Sequence, residues 1–207
     1  MYPLHLRPLL PRYNIAPSQS ILAIIQVDDE HEASLLRWGL IPSWRKEPKG
    51  FINARAETLE EKPSFKESFQ QRRCLIPADG FYECERTGKI APPYFFQIRD
   101  ESPFAFAGIW DTWQVGRQSI TSCAIITTTA NELLAPIHNR IPVIFPHEKY
   151  ETWISGELET VRDLLTPFPA SEMTSHAVSY DVNHPMIDEK YLVTPVEPNL
   201  GVTLTLF

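Results

Sequence analysis

Prolines interrupt this chain at short intervals, 19 of them against 8 glycines in 207 residues. A proline inside a helix removes a backbone hydrogen bond and clashes with the preceding turn. Long helices are therefore excluded, and the apolar residues between prolines must pack as short elements. Most of those segments read as strands. SILAIIQV (20–27) and SLLRWGLI (34–41) form one pair around the polar turn DDEHE. RCLIP and GFYECE (73–77 and 80–85), within the stretch CLIPADGFYEC, read as a hairpin around Asp79-Gly80. YFFQI (94–98), FAFAGIWDTW (104–113), the β-branched ITSCAIITT (120–128) and IPVIF (141–145) continue the pattern. HAVSY and the final VTLTLF read as closing strands or extended segments, and residues 42–50 as a Trp/Pro/Lys loop. Helices are expected at 59–71, after Thr129, and over 147–155 and 157–165. The reading is α+β and mainly β: about eight strands in a curled or barrel-like sheet core, with a few short flanking helices.

Size and charge narrow the function. A chain of this length with 43% hydrophobic residues buries roughly 70% of its unfolded surface without staples. No repeat, low-complexity tract or linker divides it, so one domain over residues 1–207 is expected. The net charge of −7 gives no bulk attraction to nucleic acid or anionic membrane, although a local basic groove is compatible with it. Three cysteines at unpatterned positions, Cys74, Cys84 and Cys123, point to a reducing compartment. No apolar run reaches membrane length and the start does not read as a signal peptide. The expectation is a cytoplasmic protein with no membrane partner.

Three stretches place polar groups among apolar ones. In FINARAET (51–58), Asn53, Arg55 and Glu57 alternate with apolar residues and would share one face of a strand, which also describes a solvated sheet edge. In GFYEC, Glu83 sits where a core-facing residue is expected, as a buried proton carrier or an ordinary paired glutamate. In PIHNRIP (136–142), His138 and Arg140 lie between prolines; histidine carries protons near neutral pH, and a carbonyl-bonded structural role is the alternative. His5, His31, His147, His176 and His184 show no metal-ligand spacing, so no metal is expected. A nucleophilic pairing of Cys74 or Cys84 with His138 stays open, with nothing local to mark either thiol as activated. Trp38, Trp44, Arg45, Lys46 and Lys49, with Arg37, Arg55, Arg72, Arg73 and Arg140, would build a positive groove whose aromatics stack bases. Core filling by Trp38 and a lysine-coated loop is the competing account.

PRYNIAPSQ, RWGLIPSW, INARAET, RRCLIPADGFYE, FAGIWDTW and IHNRIPVI follow one another in order between residue 11 and residue 144. This series resembles the SOS response-associated peptidase family of abasic-site processing proteins. The resemblance implies a partner, single-stranded DNA with an abasic site, bound by a monomer without metal or cofactor, at the nucleoid when on DNA. It also implies a reaction, in which the open-chain sugar aldehyde meets the α-amine and thiol of an N-terminal cysteine to give a thiazolidine crosslink. By motif, Asn53 would position nucleophile and sugar, Glu83 would shuttle protons during Schiff-base formation and reversal, and His138 would promote ring opening. Arg55 and Arg140 would hold phosphates, and Asn14, Pro17, Trp44 and Thr127 match DNA-contacting positions. The other readings are a noncovalent module for single strands or junctions, and a cysteine peptidase acting on other proteins, with removal of its own initiator methionine or leader as the narrower form of proteolysis.

The chain departs from that pattern at one place. Family members begin Met-Cys-Gly-Arg, whereas this sequence begins Met1-Tyr2-Pro3 and holds no cysteine before Cys74. Either the cysteine-bearing segment lies upstream of Met1, or this is a variant without the covalent step. The presence of Asn53, Glu83 and His138 together favours the first.

Overall fold

A computed structural model describes residues 10–28, 30–84 and 92–197. The first five strands are β1 (Ser20–Val27), β2 (Glu30–Trp38), β3 (Asn53–Arg55), β4 (Arg73–Ala78) and β5 (Phe81–Glu83). There follow β6 (Tyr94–Ile98), β7 (Phe104–Val115), β8 (Gln118–Thr129), β9 (Arg140–Pro142), β10 (Ile144–Phe145) and β11 (Met173–Ala177). Three helices of one to two turns, α1 (Lys66–Gln71), α2 (Tyr150–Ser155) and α3 (Leu158–Asp163), accompany them. None of the described helices is long and apolar enough to cross a membrane.

Five strands close on themselves. β1 pairs antiparallel with β2 and β4, β4 with β7, and β7 with β8. β8 then returns to β2 in parallel through Arg37–Ser122 and Trp38–Cys123. The expected barrel-like sheet is this ring. Its strands alternate with period two between two cores. Ile21, Ala23, Ile25, Cys74, Ile76, Phe104, Phe106 and Cys123 share one core with Phe96 and Met173. Leu75, Ala105, Ala107, Ile109, Ala124 and Ile126 share the other with Phe69, Trp153 and Val161 of the three helices. Gly108 sits where β4, β7 and β8 meet. A Cβ there would lie 2.7 Å from Cys74 Sγ and 2.9 Å from Ile76 Cδ1, closer than a side chain can approach.

Several sequence expectations shift. RCLIP and GFYECE do not form a hairpin. β4 has both edges taken by β1 and β7, so β5 leaves the barrel and joins β6 in a second sheet ordered β11-β6-β5. The first hairpin turns earlier than DDEHE suggested, with Val27 opposite Glu30 and Asp28 in the left-handed region at φ 47°. The helix expected over 59–71 is confined to α1, because Pro63 lacks the amide a longer helix needs. After Thr129 the chain makes hydrogen-bonded turns instead of a helix, with Pro136 again interrupting. There the Asn131 side chain accepts from the Leu134 N–H at 3.0 Å. IPVIF divides into β9 and β10, on different neighbours. Of HAVSY only His176 and Ala177 are strand; VTLTLF lies outside the described residues.

Two arginines assigned to a positive groove belong elsewhere. Arg73 is 8% exposed, and its guanidinium donates to the carbonyls of Phe69, Gln70, Trp153, Ile154 and Gly156 at 2.7–3.3 Å. Arg72 pairs with Glu67 at 3.1 Å and approaches Asp111 at 3.4 Å.

Candidate functional site

The site lies where β8 outruns the barrel. On one edge of β8, β2 ends at Cys123 and β3 takes over in parallel, with Asn53 opposite Ile125 and Arg55 opposite Thr127. On the other edge, β7 separates after Ile125 and β9 takes over, with Pro142 opposite Thr127 and Arg140 opposite Thr129. Thr127 is therefore flanked by the Arg55 strand and the Arg140 strand at once. The alternation expected through Glu57 stops at Arg55, because Ala56–Thr58 winds into a single 3-10 turn.

Glu83 arrives from the second sheet, at the end of β5. Its Oε1 lies 3.1 Å from Nδ1 of His138, with side chains 25% and 14% exposed respectively. Nδ1 also lies 3.1 Å from the Arg140 carbonyl oxygen and 3.3 Å from the Arg140 amide nitrogen. Nδ1 thus has two oxygens at 3.1 Å, one of the Glu83 carboxyl and one of the Arg140 carbonyl, towards which an N–H there can point. A carboxyl and an imidazole within reach of each other are the group types that general acid–base catalysis uses.

Arg140 links this pair to the strand edges. Its Nη1 and Nη2 donate to the two carboxylate oxygens of Glu57 at 2.7 and 2.9 Å. Nη2 also donates to the Thr127 carbonyl. The Arg140 guanidinium holds the Glu57 carboxyl below its usual range, against the opposing effect of burial. Nε of Arg140 is buried and without a hydrogen-bond partner.

The remaining residues singled out in the sequence lie at varied places. Asn53 lines a cleft of about 330 Å³ with Phe51, Arg55, Lys62, Ser64 and Phe65. Trp44, 59% exposed, lines a neighbouring cleft of about 370 Å³ with Arg45, Lys46, Glu47 and Lys49. Arg45 joins the two by lying over the Phe51 ring at 4.8 Å. Trp38 packs against the first core and donates its indole N–H to the Ile52 carbonyl at 2.9 Å. Pro17 is exposed in the turn before β1. Asn14 is buried at 6% exposure, and its amide nitrogen donates to the carbonyls of Val182, His184 and Ile187 at 3.0–3.3 Å. Its side chain thus pins the chain start to the 182–187 loop. Among the described residues no group of three His, Cys, Asp or Glu side chains could hold a metal ion.

Residues 5–185 match SRAP, the SOS response associated peptidase family. The chain belongs to the SRAP family. It is 42% identical over 191 residues to the abasic site processing protein YoqW of Bacillus subtilis (strain 168), which spans 88% of this chain and 85% of that protein. Another relative, the abasic site processing protein YoaM of the same organism, is 42% identical over 183 residues, 84% of this chain and 81% of that protein. A solved structure of a Bacteroides thetaiotaomicron protein superposes with a TM-score of 0.76 at 30% identity, covering 90% of this chain and 82% of that chain.

Two thiols of this SRAP chain are poor nucleophiles. Cys74 and Cys123 are fully buried on β4 and β8, and burial raises both, Cys74 well above its ordinary value and Cys123 to about 12. A buried thiol that resists ionisation does not attack. Cys84 is partly exposed, with Sγ 3.8 Å from the Asn183 side-chain oxygen. In the sequence Glu57 is only an alternating polar residue; its ion pair with Arg140 joins the 3-10 turn after β3 to β9, and these two strands flank β8 on opposite edges.

Asp188 completes the anchor of the chain start. It accepts from the Tyr13 and Asn14 amides at 2.6 and 2.9 Å and from the Arg12 guanidinium. Burial pushes its carboxyl up, but these donors outweigh it and leave the group below the usual value of 3.8. A carboxyl depressed by folding adds stability that is complete above its unfolded value and is lost as pH falls through the folded one. Asp188→Asn is therefore expected to melt lower than the wild type at pH 7, with the gap narrowing as the pH falls below the ordinary 3.8. Thermal melts across that range measure it, and a gap that stays constant would contradict the assignment.

Proposed function

We propose that this chain processes abasic sites in single-stranded DNA, with Glu83 and His138 as its acid–base pair. The 3.1 Å carboxyl–imidazole contact beside Arg140 carries the reading. Support comes from the names of its relatives, YoqW and YoaM, both abasic site processing proteins.

An abasic sugar exists as a closed hemiacetal in equilibrium with an open aldehyde. His138 takes the hemiacetal hydroxyl proton as the bond from the anomeric carbon to the ring oxygen breaks, and passes a proton to that ring oxygen, which becomes a free hydroxyl. An incoming amine adds its nitrogen to the aldehyde carbon, and one of its two protons passes to the oxygen. The Glu83 carboxylic acid then protonates the departing hydroxyl, water leaves, and the nitrogen's remaining proton returns to the carboxylate to leave the imine. A thiol on the carbon next to the amine closes the ring: sulfur bonds to the imine carbon and its proton ends on nitrogen. Reversal runs the same steps backwards, so one acid–base pair serves both directions. Asn53 orients sugar and nucleophile from its cleft, and Arg55 and Arg140 take the flanking phosphates. Trp44 offers an exposed face for a base, and Pro17 and Thr127 are further candidate contacts.

The nucleophile has to carry amine and thiol on adjacent carbons. Cys74, Cys84 and Cys123 lie mid-chain and have no free α-amine. A polypeptide starting at Met1 is therefore expected to form no heat-stable adduct with an abasic oligonucleotide, only an imine that borohydride traps. The same chain preceded by a Met-Cys-Gly-Arg leader of the family type is expected to form one, after loss of the initiator methionine. Denaturing gels decide this. A heat-stable adduct from the Met1 polypeptide would refute the chemistry; a leader-bearing chain that binds the oligonucleotide without reacting would favour the noncovalent module.

A further inference from the structure

The guanidinium of Arg140 has two edges that can each grip an oxyanion, and the structure distinguishes them. Its side chain is 18% exposed. The edge carrying Nε is turned inward: Nε is buried without a partner, and Nη2 donates to the Thr127 carbonyl. The end-on edge, Nη1 with Nη2, is the one that presents a parallel pair of N–H groups outward. That edge is held by both oxygens of Glu57, at 2.7 and 2.9 Å. Glu57 itself is 49% exposed, so its carboxylate lies on the solvent side of the arginine. A bidentate carboxylate and a bidentate phosphodiester place two oxygens in the same fork geometry.

We propose that Glu57 occupies the phosphate subsite of Arg140 as an internal competitor, so that a DNA phosphodiester must displace its carboxylate to bind. This rests on the DNA reading above, which assigns Arg140 to a phosphate. The competitor is displaceable because its carboxylate is open to solvent, and an ion pair with a solvated partner contributes little net stability. It is charged at neutral pH, as any glutamate with an ordinary value of 4.5 is, and Arg140 holds its carboxyl lower still. Two consequences follow for binding. Affinity for any single strand is held down, since each encounter exchanges one ion pair for another. The salt response is blunted as well: the displaced Glu57 carboxylate beside the strand retains a cation in place of the one that the bound phosphate gives up.

Glu57→Gln tests this, with the wild type, Arg140→Gln and the double variant measured beside it on an undamaged single-stranded oligonucleotide by fluorescence anisotropy. Removing the charge is expected to tighten binding roughly three- to fivefold at low salt. The slope of log affinity against log salt is expected to steepen by about 0.7, the share of one extra single-strand phosphate contact. In the Arg140→Gln background the same substitution is expected to leave affinity within about 1.5-fold, because its effect runs through that arginine. Equal or weaker binding by Glu57→Gln would overturn the inference and make Glu57 a strut for Arg140. A gain that persists without Arg140 would overturn it too, by assigning the effect to the general field of the protein. Wild-type protein that binds no single strand at any salt would refute the DNA reading, and this inference with it. Binding without the gain refutes this inference alone. Circular dichroism melts of the four proteins confirm that each is folded.

Discussion

Glu83→Gln is expected to slow adduct formation on abasic DNA about 10²–10⁴-fold, the usual contribution of one positioned acid–base group. The substitution keeps the size of the side chain and an oxygen that can accept from His138 Nδ1–H across the 3.1 Å gap. What it removes is a carboxyl group that can take up and release a proton. Imine formation needs a proton moved from nitrogen to oxygen and then a protonated leaving hydroxyl, and a glutamine does neither. Reversal should slow in parallel, since the same proton returns along the same path. Strand binding should change far less, because in this reading Arg55, Arg140 and the clefts grip the DNA. His138→Gln alone and the two together should cost little more than the worse single change, since the two groups act as a unit. The measurement is a single-turnover rate for a leader-bearing chain, followed on denaturing gels from pH 5 to 8. A Glu83→Gln rate within about threefold of wild type would remove Glu83 from the chemistry.

The largest loss of stability is expected at Arg73, far from any reaction. Arg73→Met should lower the unfolding free energy by about 3–5 kcal/mol, and Arg73→Lys by about 2 kcal/mol. A guanidinium has five N–H donors. Here they serve five carbonyls, Phe69 and Gln70 at the end of α1 and Trp153, Ile154 and Gly156 at the end of α2. The last carbonyls of a helix have no partner within it, and these helices are too short to leave them to neighbouring turns. Methionine fills the volume and leaves all five bare in a site where Arg73 itself is 8% exposed. Lysine keeps the charge with only three donors, so the order wild type, lysine, methionine is part of the prediction. Urea unfolding followed by fluorescence reads it. A methionine variant within about 1 kcal/mol of wild type would mean that water reaches those carbonyls without the arginine.

Arg73 shows why part of this molecule could not be read from its residues in order. Beside Arg72 it looked like one more cation for a groove, and its five acceptors come from two helices far apart in sequence that pack against the same core. The hairpin expected across Asp79-Gly80 failed for a related reason. Its turn residues favour a hairpin, but β4 already has a partner on each edge, and edge occupancy is a property of the closed ring. The three-residue strands β3 and β9 carry too little periodicity to stand out, yet they flank Thr127 and form the frame of the site. By contrast β1, β7 and β8 were legible, because long apolar runs broken by polar turns have few alternatives to a buried strand.

The order of residues alone determined the local chemistry and the family: a mainly β chain cut short by prolines, and motifs that put an amide, a carboxyl and an imidazole into three separate segments. It could not place those segments together, since residue 83 ends a strand of one sheet and residue 138 precedes a strand of the other. Only the packed structure brought Glu83 within 3.1 Å of His138 and set Glu57 on the outer edge of Arg140. Side-chain meetings of this kind depend on which strand edges remain free once the barrel has closed, a condition that the whole chain satisfies at once and no short stretch encodes.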